Sequence, residues 1–265
     1  MSRLFPDEFD WPTGPYLQFS KNNFFRRFSK LATCSLIALL FVVTPLQAEA
    51  KCLKLKDGAF VYAIGSSTMG ISLGPALQKA LEKQGVTFRK WAKASSGLAR
   101  PDFHDWPKQV PDIVREWKPN AIVISLGTND YQAMYTDNGW IKHTEKEKWK
   151  AAYAARVDRL LKLAAGPNKA RPIVWVGPTP FNTRKGRDMS TRVNGVIKAR
   201  IKAFGGNVHY IDMVSKLMPT GKTLRTFKSA SGKTLKVYGK DGVHLRSATV
   251  RKFMVRPVLT QLTCK

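Results

Sequence analysis

The chain has 265 residues, 43% of them hydrophobic, with 45 Lys and Arg against 18 Asp and Glu, a net charge of +27. That apolar fraction suits a packed core and excludes a disordered chain, and no fixed repeat or low-complexity tract is present. The excess of positive charge points to an anionic partner or anionic surroundings.

Residues 1–50 read as a leader. "KNNFFRRFSK" (21–30) is basic, "LATCSLIALLFVV" (31–43) is apolar, and "TPLQAEAKC" (44–52) offers small residues at Ala48 and Ala50. This is the basic, apolar, small-residue order of a secretory signal, which engages the membrane during export. The apolar run is shorter than the roughly 20 residues of a spanning helix. Uncleaved, it would act as an inner-membrane anchor. Arg26-Arg27 matches the twin-arginine pattern poorly. The leader contributes only +1, from five basic and four acidic residues, so residues 51–265 keep +26. In the cytoplasm such a balance suggests nucleic acid. For an exported chain no nucleic acid is expected, and the candidates become acidic polysaccharide, cell wall and lipid headgroups. The expected location is periplasmic or secreted.

Cysteine use agrees. Cys34 falls inside the leader, which leaves Cys52 and Cys264 at the two ends of the exported part. Domain termini often lie close together, and an even pair in an oxidising compartment predicts one disulfide. No CxxC, HExxH or His/Cys cluster is present, so neither a transition metal nor another cofactor is expected.

Residues 51–265 read as one domain. Apolar runs that suit buried strands occur at 59–64, 121–127, 172–177 and 207–213, and 86–92 is a shorter candidate. Helical spacing marks 73–85, 144–166, 189–206 and 247–262. Strands apolar throughout, alternating with helices, predict an α/β fold: a three-layer α/β/α sandwich on a parallel sheet of about five strands. A basic segment at 217–242 breaks the pattern as a hairpin inserted before the last helix.

In such a sheet ligands gather beyond the carboxyl ends of the strands. Three polar loops fall there: Gly65–Gly70, "GTND" at 127–130 and "DGVHL" at 241–245. Singly, each has an ordinary reading: Ser66 and Ser67 as helix caps, Asn129 as a turn residue, His244 as a satisfied core histidine. Together they have another. Asp241 stands three residues before His244, within local reach of its ring, and an acid holding a histidine that activates a serine is the logic of a hydroxyl nucleophile.

On these residues the chain resembles the SGNH (GDSL-like) hydrolase superfamily. Gly65-Ser66-Ser67 matches its GDS block, "KASSGLARPDFHDWP" (93–107) supplies the Gly at 97, "SLGTND" supplies Asn129, and "KDGVHL" supplies Asp241 and His244. The 95–107 stretch resembles a largely periplasmic branch. The resemblance implies a flavodoxin-like sandwich and a serine esterase. Ser67 would be the nucleophile, His244 the general base and Asp241 its orienting acid. The oxyanion hole would comprise the backbone N–H groups of Ser67 and Gly97 and the Asn129 amide. One departure stands out: the family's Asp in GDS is Ser66 here. The ordinary α/β-hydrolase pattern G-x-S-x-G fits less well, because Met69 occupies its last position. Trp106 and Trp140 flank the second and third blocks and are placed to stack on a sugar ring, although tryptophan more often fills cores. Export, basicity and family together imply an O-acylated, acidic envelope or extracellular glycan as substrate. The alternatives are a periplasmic O-acetyltransferase using the same serine and a catalytically decayed glycan-binding or assembly protein.

Overall fold

In the computed structural model, which describes residues 52–181 and 183–264, the four apolar runs and the shorter candidate at 86–92 become the strands of one parallel sheet. The leader read at 1–50 lies outside the described residues. In chain order, β1 (Phe60–Gly65) leads through a π-helical turn (Met69–Leu73) into α1 (Gly74–Glu82). β2 (Thr87–Ala92), α2 (Trp106–Trp117) and β3 (Ala121–Ser125) follow, then a small hairpin of β4 (Met134–Thr136) and β5 (Gly139–Ile141). Next come α3 (Lys146–Ala165), β6 (Ile173–Val176), α4 (Arg184–Phe204), β7 (Val208–Ile211) and α5 (Met213–Leu217). The basic segment forms β8 (Thr226–Lys228) and β9 (Thr234–Lys236), and the chain closes with α6 (Ser247–Val250), a second π-helical turn (Arg251–Val255) and α7 (Arg256–Thr263).

The sheet runs β2-β1-β3-β6-β7 with every pair parallel. The unbroken apolar character of the inner strands β1, β3 and β6 has a direct cause: successive side chains enter opposite cores. Tyr62, Ile64, Ile122, Ile124, Ile173 and Trp175 pack with Ile113, Leu160 and Ile197 of α2, α3 and α4. Val61, Ala63, Val123, Val174 and Val176 pack on the other face with Leu77, Leu217 and Val258 of α1, α5 and α7. Ile124 is fully buried, so Ile124→Ala should cost about 2–5 kcal/mol through lost transfer energy and a cavity.

Helix α2 escaped the periodicity reading because two prolines interrupt it. Pro107 sits in the first turn, where a missing N–H costs nothing, and Asp105 caps that turn by accepting the Lys108 N–H at 3.1 Å. Pro111 lies inside and removes one intrahelical bond. Helix α4 begins five residues before the expected 189, because Thr183 Oγ1 caps it through the Gly186 N–H. Prolines also explain the π-helical turns. In both, the residue before a proline (Gly74 before Pro75, Arg256 before Pro257) donates its N–H five residues back, to Met69 O and Arg251 O. The two turns pack against each other.

The ends meet as expected. Leu53 and Leu55 donate N–H groups to Gln261 O and Leu262 O at 2.8 and 2.9 Å, and Cys52 is disulfide-bonded to Cys264 with a Cα–Cα distance of 5.3 Å. Among the described residues, no helix is long and apolar enough to cross a membrane.

Candidate active site

Numbered along the sheet's five strands, the order is 2-1-3-4-5, so successive crossovers diverge between β1 and β3. The loops leaving those two strands meet at that switch point, where sheets of this kind bind ligands. Ser66 and Ser67 leave β1, and Gly127–Asp130 leave β3.

The backbone of Ser66 is pinned to β3: its N–H donates to Ser125 O at 3.2 Å and its carbonyl accepts from Gly70 N–H at 3.1 Å. Ser66 is 3% exposed. Ser67 is the serine that reaches His244, with Oγ 2.9 Å from its Nε2. The other ring nitrogen, Nδ1, lies 2.6 Å from Asp241 Oδ2. Asp241 is held well below the ordinary carboxylate range, to about 2, first by the His244 ring and then by the Val243 and His244 N–H groups, each 3.0 Å from Oδ1. An ionised carboxylate can only accept, so in the neutral ring Nδ1 carries the proton and Nε2 is left to accept from the Ser67 hydroxyl.

This loop is a miniature hairpin. Tyr238 and Leu245 form an antiparallel bridge, and the Gly239 N–H donates to His244 O at 2.7 Å. Tyr238 hydroxyl ties it to Pro180 O at 2.8 Å.

Opposite, the 96–99 loop and the β3 turn interlock. Asn129 Nδ2 donates one hydrogen to Ser96 O at 2.9 Å, which fixes the amide plane and leaves its second N–H for another acceptor. Among the described residues neither the Ser67 N–H nor the Gly97 N–H has a protein acceptor. Gly127, at φ +121°, makes the turn that brings Asn129 round.

Sequence reasoning missed what holds this loop. Asp130, the last letter of GTND, is fully buried. It accepts the Ala99 N–H on Oδ1 and the Tyr153 hydroxyl on Oδ2, both at 2.7 Å. Burial pushes its pKa up against those hydrogen bonds. Arg156 Nη1 donates to Leu98 O at 2.7 Å from the same side. A Cβ on Gly97 would meet Asp130 Oδ1 at 2.1 Å, so only glycine lets the loop approach this closely. An acid directly after Asn129 was the available signal, but its partner Tyr153, and the Arg156 that holds Leu98, lie on a helix more than twenty residues away.

The two tryptophans divide. Trp106 is fully buried, donating Nε1–H to Ser96 Oγ at 2.9 Å beside Trp91 and His104, and cannot stack on a sugar. Trp140 on β5 is 53% exposed, edge-on to Tyr135 and under the Arg100 guanidinium. The cavity of about 240 Å³ bounded by Gly97, His104, Asp137 and Arg156 includes none of Ser67, Asp241 and His244. The Asp241 and His244 side chains are 51% and 31% exposed, so the Ser67 line opens to solvent.

A family model described as a protein of unknown function, DUF459, matches residues 60–260, the span from β1 into α7. The chain belongs to the DUF459 family. No curated protein matches it. Its fold is that of the SGNH (GDSL-like) hydrolases, and solved structures share it at low identity. An α/β hydrolase, LAE5, from the metagenome of Lake Arreo is 11% identical over 80% of this chain and 98% of its own, with a TM-score of 0.52. A single-residue variant of Axe2, an acetyl xylan esterase from Geobacillus stearothermophilus, is 16% identical over 79% and 96%, also at 0.52. An aryl esterase from M. smegmatis is 12% identical over 77% and 100%, at 0.50.

Proposed function

We propose that this DUF459 chain is an exported serine esterase that removes acyl groups, O-acetyl foremost, from an envelope or extracellular glycan. The observation that carries the reading is the unbroken line from Ser67 Oγ through His244 to Asp241, at 2.9 and 2.6 Å. Ser67 Oγ attacks the ester carbonyl carbon as His244 Nε2 takes its proton. Asp241 holds the tautomer and stabilises the imidazolium. The negative oxygen of the tetrahedral intermediate is received by the Ser67 and Gly97 N–H groups and the second Asn129 amide hydrogen. Such donors are each worth about 100-fold or more in rate. His244 returns the proton to the departing sugar hydroxyl, and water repeats the sequence on the acyl-Ser67.

Several features support the substrate class. The disulfide fits an oxidising compartment, in keeping with the signal-like leader. The mouth is open, which suits an acyl group projecting from a polymer better than a small ligand needing enclosure. An acetyl xylan esterase shares the fold. The intact Ser67–His244–Asp241 geometry argues against a decayed site despite Ser66. Water has ready access to this exposed line, which favours hydrolysis over acetyl transfer to a second sugar.

Turnover of p-nitrophenyl acetate by the purified chain is the test. The wild type should hydrolyse it and Ser67→Ala should not. A Ser67→Ala protein as fast as wild type would sink the mechanism, and an inert wild type would return the chain to glycan binding.

A further inference from the structure

Beyond Asp212 the chain becomes one-signed. Residues 213–265 carry twelve Lys or Arg and a single acid, Asp241, the one that holds His244. The part nearest the site, 218–240, has no acid and presents Lys222, Arg225, Lys228, Lys233, Lys236 and Lys240, all exposed. Among the described residues none of these six is paired with a carboxylate.

The fold turns this composition into a face. In the β8–β9 hairpin Phe227 pairs with Leu235, and both are half-buried, with Phe227 against Phe253 at 5.4 Å. The alternate positions, Thr226, Lys228, Thr234 and Lys236, are exposed. Lys228 and Lys236 are therefore diagonal neighbours on one surface, where like charges repel unless something negative lies across them. From β9 the chain runs directly into the Tyr238–Leu245 bridge and the His244 loop. Lys236 is five residues from Asp241, at most about 18 Å of extended chain.

We propose that the outer face of this hairpin docks a polyanionic glycan strand and feeds it to the adjacent Ser67. Calling that strand the substrate rests on the esterase reading; the surface itself can be tested without turnover. Charge complementarity makes the partner anionic. The outward positions hold only Thr and Lys, with no apolar side chain to enter a bilayer and no aromatic ring to stack on a base. An exposed aromatic ring, Trp140, stands at the β4–β5 hairpin, where Tyr135 N–H joins Ala99 O of the 96–99 loop. Exposed cations at one hairpin and an exposed aromatic ring at the other suit a charged polysaccharide.

The probe is polygalacturonate, a uronate polymer without acyl groups. Its binding to the purified chain is measured at about 0.05 M salt, where screening is weak. Lys228→Gln/Lys233→Gln/Lys236→Gln should bind about tenfold or more weakly, by loss of close ionic contacts. The charge-matched Lys83→Gln/Lys162→Gln/Lys202→Gln, at the C-terminal ends of α1, α3 and α4, should lose less than about twofold if position matters more than net charge. The double variant Lys228→Gln/Lys236→Gln gives the same comparison should the triple one fail to fold. Equal losses from the two sets would overturn the proposal, leaving net charge as the cause. Hairpin-dependent binding that is tighter to single-stranded DNA or to phosphatidylglycerol vesicles than to polygalacturonate would overturn the choice of partner. A chain that docks polygalacturonate through the hairpin yet leaves p-nitrophenyl acetate intact would keep this surface and lose the esterase.

Discussion

Replacing Asp130 with alanine leaves two donors stranded in the core. Ala99 N–H and Tyr153 hydroxyl each reach this carboxylate at 2.7 Å, and the site is fully buried. A buried donor left unpaired costs about 1–3 kcal/mol, so the two together set an expected loss of about 2–6 kcal/mol. The effect on rate takes another route. Gly97 is seated so closely on Asp130 that the carboxylate defines where the 96–99 loop lies. A displacement of about 1 Å at a positioning element can cost about 100-fold. Asp130→Ala should therefore lower kcat for p-nitrophenyl acetate by about 100-fold while KM changes little. Asp130→Asn keeps an acceptor for Ala99 and should recover much of the stability. The pH dependence separates the carboxylate from a mere space-filler. Burial raises the folded pKa, so the native state holds this proton more tightly than the unfolded chain does. The favourable contribution is complete below the unfolded pKa of about 4 and is lost as pH rises through the folded value. The stability advantage of wild type over Asp130→Asn should accordingly shrink as pH rises above about 4. Urea unfolding across that range, with steady-state kinetics, measures both effects. An Asp130→Ala protein with wild-type midpoint and kcat would show that this carboxylate does not hold the loop.

Ser66→Ala should retain a substantial part of the esterase activity, because only Ser67 reaches His244; equal inactivation by both serine variants would contradict the assignment. Breaking the Cys52–Cys264 bond, which spans 212 residues, should destabilise the fold by about 5 kcal/mol on chain-entropy grounds, and an unchanged urea midpoint for Cys52→Ser/Cys264→Ser would refute it. Asp241 has its folded pKa lowered to about 2, so its contribution is present above the unfolded value of about 4 and is lost as pH falls through about 2. The low-field NMR signal of the His244 Nδ1 proton should thus persist at pH of about 4, and its absence there would count against the ionised partner. Salt should weaken retention on polygalacturonate while turnover of the neutral p-nitrophenyl acetate barely changes, because screening acts on the exposed lysines and not on the short Ser67–His244–Asp241 contacts; parallel loss of both would return the charge to simple solvation.

The strands were legible because both faces of the sheet are covered. That requirement writes itself locally as runs such as "FVYAI" and "AIVIS"; the four apolar runs are strands of the sheet, and the mixed segment at 86–92, with Arg89 and Lys90 exposed, is an edge strand. The motifs of the candidate site were legible for a similar reason: each falls in a loop with its own turn chemistry, and Asp241 and His244 are only three residues apart. Helix α2 was not legible, since Pro107 and Pro111 hide a helix whose stability comes from Trp106, Val110 and Ile113 entering the core.

Pairings between distant segments belonged to the tertiary structure alone. No local signal distinguishes Trp106, sealed inside by Ser96 and Trp91, from Trp140 in the open. Nor could composition reveal that Asp130 would meet Tyr153 under Gly97, or that the basic hairpin would run into the His244 loop. Apolar pattern and turn chemistry act over a few residues and are written in their order. Burial, the partner of a buried charge and the direction a charged surface faces depend on which segments pack together, and packing closes only when the whole sheet and its two helical layers are in place.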